Sequence, residues 1–261
     1  MRTEIDGGVA LVLVDVVSDE LGEQLRERLS AYCYGAANVD EDADYYSFEQ
    51  TIEELLVRYE SKPSATRIGM AGELLVHVLV SHTHPEMTSS AVFLNKEERS
   101  IKKGFDLTFH TAEGGAVWYG EVKSGLVKDP QSADEKSAAL LKTAAADVAD
   151  KLGKGAQRSR WDSAVADAYL TLEGAHAASA KALLRNDATE VAAGSLTTKN
   201  VVVAAVVMHE IDHCEISGDT VRKVASALNS AGRFSNVAVL VAQQHEIETL
   251  IDHLREVIAS A

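Results

Sequence analysis

Glu73, Asp106 and the tripeptide Glu121-Val122-Lys123 have the residue types, order and spacing that metal-dependent phosphodiester cleavage needs. Such chemistry requires carboxylates that hold a divalent cation against the phosphate, and a cation or base that positions the attacking water. Two carboxylates converging on one face favour a hard ion with oxygen ligands, so Mg²⁺ or Mn²⁺ suits them and zinc does not. Asp106 and Glu121 are the candidate direct ligands, with the Val122 carbonyl as a third. Lys123 would orient the water or stabilise charge developing on the phosphate. Glu73 follows Gly69 and Gly72, small residues that would let its helix approach the sheet and bring a further carboxylate to the metal or its water.

These residues need two paired strands and a helix. Gly104–His110 and Ala116–Lys123 read as strands around Glu113-Gly114-Gly115, a hairpin turn. If Gly114-Gly115 is a two-residue turn, Asp106 falls opposite Lys123 and Thr108 opposite Glu121, close enough for Asp106 and Glu121 to share one ion. Phe105, Leu107 and Phe109 then point with Val122 into the core, and His110 pairs with Tyr119 on the wet face as a wall of the substrate groove. Glu73 belongs to a helix over Ser64–Ser81 with an apolar stripe of Ile68, Leu75, Val76 and Leu79.

Around this segment the pattern predicts a strand over Val9–Val16, helices over Ser18–Ala31 and Phe48–Tyr59, and a short strand Ala91–Leu94. Helical sequence continues over Asp134–Leu152 and Ser163–Leu184. The last quarter alternates strand (Val201–Met208), helix (Asp219–Asn229), strand (Val237–Val241) and helix (His245–Ala259), which implies parallel strands joined by crossover helices. The expected fold is α/β: one domain over residues 1–261, with a mixed β-sheet, a central antiparallel hairpin and helices on both faces. The site segment would span about 64–125, with a βαβα extension over about 200–261.

The chain has 261 residues, 46% hydrophobic and 25% charged, enough to bury a substantial core. No apolar run approaches the ~20 residues of a membrane span, and Gly8–Val17, broken by Asp15, suits a buried strand better than a signal peptide. Two cysteines, Cys33 and Cys214, are too few for a disulfide framework, which makes a reducing cytoplasm the default location. The net charge of −15 argues against a broad duplex-binding face. It is unevenly spread, with seven acids and no Lys or Arg between Val39 and Leu56, and basic residues clustered as Lys96, Arg99, Lys102, Lys103, Lys123 and Lys128 and again as Lys151, Lys154, Arg158 and Arg160.

Glu73, Asp106 and Glu121-x-Lys123 in this order resemble the PD-(D/E)XK nuclease superfamily, whose core is a mixed sheet flanked by helices. More narrowly, Gly69-x-x-Gly72-Glu73, Lys103-Gly104-Phe105-Asp106 and Gly120-Glu121-Val122-Lys123 resemble the HamA family, the nuclease subunits of the Hachiman antiphage system. That resemblance implies Mg²⁺-dependent degradation of DNA, restraint by a HamB-like helicase partner, and release when the partner senses foreign or damaged DNA.

Three other readings compete with it. Glu-x-Lys on a wet strand also occurs as a surface salt bridge. The same fold could serve a catalytically silent docking subunit of a helicase complex. His209-Glu210-Ile211-Asp212-His213 matches H-E-x-x-H and would make a zinc hydrolase if both histidines shared one helical face. The unbroken apolar run Val201–Val207 before it reads instead as a buried strand that ends at His209.

Overall fold

The structure is a computed structural model that describes residues 1–94, 104–111, 115–153, 158–194, 198–246 and 248–260. Strand β1 (Arg2–Asp6) turns at Gly7 and Gly8, both at positive φ, into β2 (Val9–Val14). Helices α1 (Asp19–Tyr34), α2 (Ala36–Glu41), α3 (Phe48–Glu60) and α4 (Ser64–Thr83) follow. Strands β3 (Met87–Ser89), β4 (Leu107–Thr111) and β5 (Ala116–Leu126) lead into helices α5 (Ala133–Gly153), α6 (Arg158–Thr171) and α7 (Gly174–Ala192). The chain ends with β6 (Asn200–Met208), α8 (Gly218–Ser230), β7 (Asn236–Gln244) and α9 (Thr249–Ser260).

Among the described residues the strands form one seven-stranded sheet in the order β1-β2-β7-β6-β5-β4-β3. Its middle, β2-β7-β6-β5, is parallel, and β1, β4 and β3 are antiparallel additions at the sides. The last quarter therefore pairs in parallel, as its alternation of strand and helix predicts. The hairpin β4–β5 lies towards one edge, not at the centre as expected. Val201–Val207 and Val239–Ala242 are fully buried, and runs that are apolar on both faces belong in the interior of a parallel sheet.

Helices cover both faces. One layer packs Leu21, Leu25 and Leu29 of α1, Ile52 and Leu55 of α3, Leu75 and Leu79 of α4, and Leu250 and Leu254 of α9 against Leu107, Phe109, Val122 and the even-numbered residues of β6. The other sets Leu141 and Val148 of α5, Trp161 of α6, Leu184 of α7 and Val221 of α8 against Tyr119 and the odd-numbered residues of β6. Each fully buried Val or Leu contributes at most about 1.5–3 kcal/mol.

Several boundaries differ from the sequence reading for identifiable reasons. β1 carries Arg2-Thr3-Glu4-Ile5-Asp6, exposed along its whole length, so it lacks the apolar alternation that marks a strand. Ala91–Leu94 is not a strand; Phe93 and Leu94 donate their N–H groups to Tyr32 and Cys33 carbonyls at the end of α1, and the edge strand is Met87–Ser89. The single helix expected over Ser163–Leu184 is two, separated before Gly174, whose φ of 49° leaves helical geometry.

Candidate active site

β5 is antiparallel to β4 on one side and parallel to β6 on the other. The hairpin register is Leu107 with Gly120, Phe109 with Trp118 and Thr111 with Ala116, shifted by two residues from the expected pairing. The Thr111–Ala116 pair leaves four positions to the turn instead of two; of these, residues 112–114 lie outside the described residues. An even shift preserves the face each side chain occupies. Extending the ladder by one residue sets Asp106 level with Glu121, where Lys123 was expected.

Two further expectations about this hairpin are corrected. Phe105 lies before the start of β4, free of strand alternation, and its ring packs 4.6 Å from Tyr119 and 5.2 Å from Trp161 on the α5–α8 face, away from Leu107 and Phe109. His110 faces Val117, and both it and Tyr119 are buried; the Tyr119 hydroxyl donates to Asp187 of α7 at 2.6 Å. They do not wall an open groove.

Tyr119, Glu121 and Lys123 alternate on the strand and so share the face under α5. Glu121 is only 1% exposed. One of its oxygens accepts from Lys123 Nζ at 2.8 Å and the other from Lys151 Nζ on α5. Lys151 also donates to Asp106 Oδ1 at 3.0 Å, so one ammonium bridges the two carboxylates. Asp106 Oδ2 accepts the Val122 N–H at 3.0 Å. A residue's N–H and C=O leave a strand on the same side, so the Val122 carbonyl is also directed towards the Asp106 side. Lys123 closes the set with a 2.9 Å pair to Asp147 of α5.

Burial is the main force raising the Glu121 pKa above the ordinary glutamate range, reinforced by the Asp106 charge and opposed by the two lysines. For Lys123, burial alone would lower the pKa, but the hydrogen bonds to Glu121 and Asp147 outweigh it and hold the ammonium above its usual range. Lys123 therefore stays protonated and donates hydrogen bonds; it is unsuited to act as a base.

Asp106, Glu121 and Lys123 are thus brought together. Glu73 is half-buried on α4, which packs on the other face of the sheet. Among the described residues, no group of three or more His, Cys, Asp or Glu side chains is placed to hold one ion. The close approach of α4 does depend on Gly72, where a Cβ would lie 1.8 Å from Ser124 Oγ of β5. Gly69 has open space around it and plays no part in that contact.

Lys151 and Asp147 escaped the sequence reading, which placed Lys151 only in a basic cluster. Their four-residue spacing on one helix face was the available signal. Lys96, Arg99, Lys102, Lys103 and Lys154, from the same basic clusters, lie outside the described residues.

The histidines of α4 and of the H-E-x-x-H segment have local contacts. His77 Nε2 is 2.6 Å from Ser89 Oγ, and its ring stacks on Tyr32 at 4.5 Å. His82 pairs with Glu20, and His84 Nδ1 with Thr83 Oγ1. His209 follows the end of β6 and His213 sits in a turn, so H-E-x-x-H is not helical here; the two rings meet edge to face with centroids 5.8 Å apart.

A model of the HamA family matches residues 8–258. No curated protein and no solved structure matches the chain.

Proposed function

Because the chain belongs to the HamA family, we propose that it is the nuclease component of a Hachiman antiphage defence system, with a PD-(D/E)XK-type site hydrolysing DNA phosphodiesters. The observation that supports this most is the buried Glu121 carboxylate, gathered with Asp106 around one cation and set beside an ammonium held in its charged form. Mg²⁺ commonly takes one or two carboxylates and completes its shell with water and substrate phosphate, so two converging acids are a sufficient protein share. Asp106, Glu121 and the Val122 carbonyl would hold the ion, and Glu73 would hold its water. Mg²⁺ or Mn²⁺ would supply Lewis-acid polarisation of the phosphate and a more acidic water.

The protein's own groups do the rest. Asp106 is oriented by the Val122 N–H, which locks the carboxylate against the strand. Burial under α5 keeps bulk water away from Glu121 and strengthens every charge interaction around it. Lys123, anchored between Glu121 and Asp147, presents protons to the phosphate oxygens as negative charge builds there. Restraint in this reading comes from a HamB-like helicase partner.

Cleavage of linear, circular and single-stranded DNA should be measured with Mg²⁺, Mn²⁺ or EDTA, using the chain alone and with its helicase. Metal-dependent cutting lost in Lys123→Ala supports the site. No cutting in any arm, helicase included, would favour a docking subunit.

A further inference from the structure

We propose that Lys151 is a tethered counter-cation that occupies the place of the divalent ion when metal is absent and must withdraw for the ion to bind. The inference rests on the metal-site reading above. Its own observation is that one ammonium touches an oxygen of each candidate ligand, Asp106 Oδ1 at 3.0 Å and Glu121 Oε2. A charged carboxylate that is 1% exposed beside a second carboxylate calls for a cation close by. Lys123 serves the far oxygen of Glu121, while Lys151 hydrogen-bonds to both carboxylates and so ties them together.

A hard ion binds carboxylate oxygens at about 2.0–2.1 Å. It cannot enter between those two oxygens while an ammonium is hydrogen-bonded to both. The four-carbon stem of Lys151 lets its charge swing clear without moving α5. The backbone there is independently held, because Arg160 donates to the Lys151 carbonyl. Lys151 is therefore a positioning residue with two consequences. It keeps the metal-free site assembled, and it raises the metal concentration at which the site loads.

The test uses the full chain and Mn²⁺ as the probe, with binding followed by titration calorimetry and by the loss of free-ion paramagnetic signal. Lys151→Met removes the charge and keeps the length. It should bind Mn²⁺ about tenfold tighter than the natural chain, the factor that ~1.4 kcal/mol represents. Its metal-free melting temperature should fall, and Mn²⁺ should restore it. Lys151→Arg keeps the charge and should bind Mn²⁺ as the natural chain does. A second readout needs no variant: Mn²⁺ should raise the acylation rate of the Lys151 amine several-fold and leave that of Lys199 unchanged.

Equal or weaker Mn²⁺ binding by a folded Lys151→Met overturns the inference. So does an unchanged Lys151 labelling rate in a metal-loaded natural chain. If neither the natural chain nor the variant binds Mn²⁺, the metal-site reading itself fails and takes the inference with it.

Discussion

Two lysines on the same face of the sheet each sit between two acids, and the two clusters answer to different demands. Lys199 donates to Asp187 Oδ1 at 2.6 Å and to Glu190, while Tyr119 donates to the other Asp187 oxygen. Lys151 does the same for Asp106 and Glu121. Tyr119 and Glu121 are neighbours on one face of β5, so the clusters are adjoining parts of one polar seam. The acids differ in origin. Asp187 and Glu190 stand one turn apart on α7, fixed by a single helix, and Glu190 reaches solvent. Asp106 lies just before β4 and Glu121 on β5, and Glu121 is sealed from water. The first cluster ties a helix to the sheet. The second converges on a point that requires positive charge. A lysine between two acids is thus not distinctive by itself; burial and convergence from separate segments set the second cluster apart.

Variants can break this contrast. Glu121→Gln keeps shape and removes the charge, and should lower DNA cleavage by about 10³-fold while largely preserving the far-ultraviolet circular dichroism. Retained cleavage would remove Glu121 from the site. Lys123→Ala should cost about 10²-fold in kcat, with a small change in melting temperature because Lys123 is partly exposed at the site mouth. A loss in KM alone would assign it to substrate binding instead.

Gly72→Ala acts on stability: its Cβ meets Ser124 Oγ at 1.8 Å, so α4 must lift from β5 at a cost of about 1–3 kcal/mol in denaturant unfolding. Gly69→Ala, in open space, serves as its control and should leave stability unchanged or raise it. A comparable or smaller loss belongs to Lys199→Met, which should destabilise by about 1–2 kcal/mol and leave Mn²⁺ affinity untouched. Altered metal binding in that variant would mean the two clusters are one.

Glu121 and Lys123 were legible because a strand imposes a period of two, so their spacing translates into a shared face. The pairing itself was not legible. Gly114-Gly115 suggests a two-residue turn, but Thr111 pairs with Ala116, and only the even size of the shift kept the acids together. Phe105 was misassigned because alternation stops where the strand stops. Lys151 could not be found by strand logic, since it arrives from α5, thirty residues after Glu121, and tertiary packing alone brings it over the site. β6 and β7 announced themselves by continuous apolar runs, whereas β1, wholly exposed, carried no hydrophobic signal.

The strand order has a consequence for biosynthesis. β2 and β5 are made long before β6 and β7, yet they end up separated by them. A chain still being translated holds Glu121 on a strand whose parallel neighbour does not exist, and the gap closes only after more than 200 residues have emerged. Pairings so distant in sequence form late and slowly. The parallel centre of the sheet is therefore completed only late in synthesis, and β5 remains an open edge until β6 has been made.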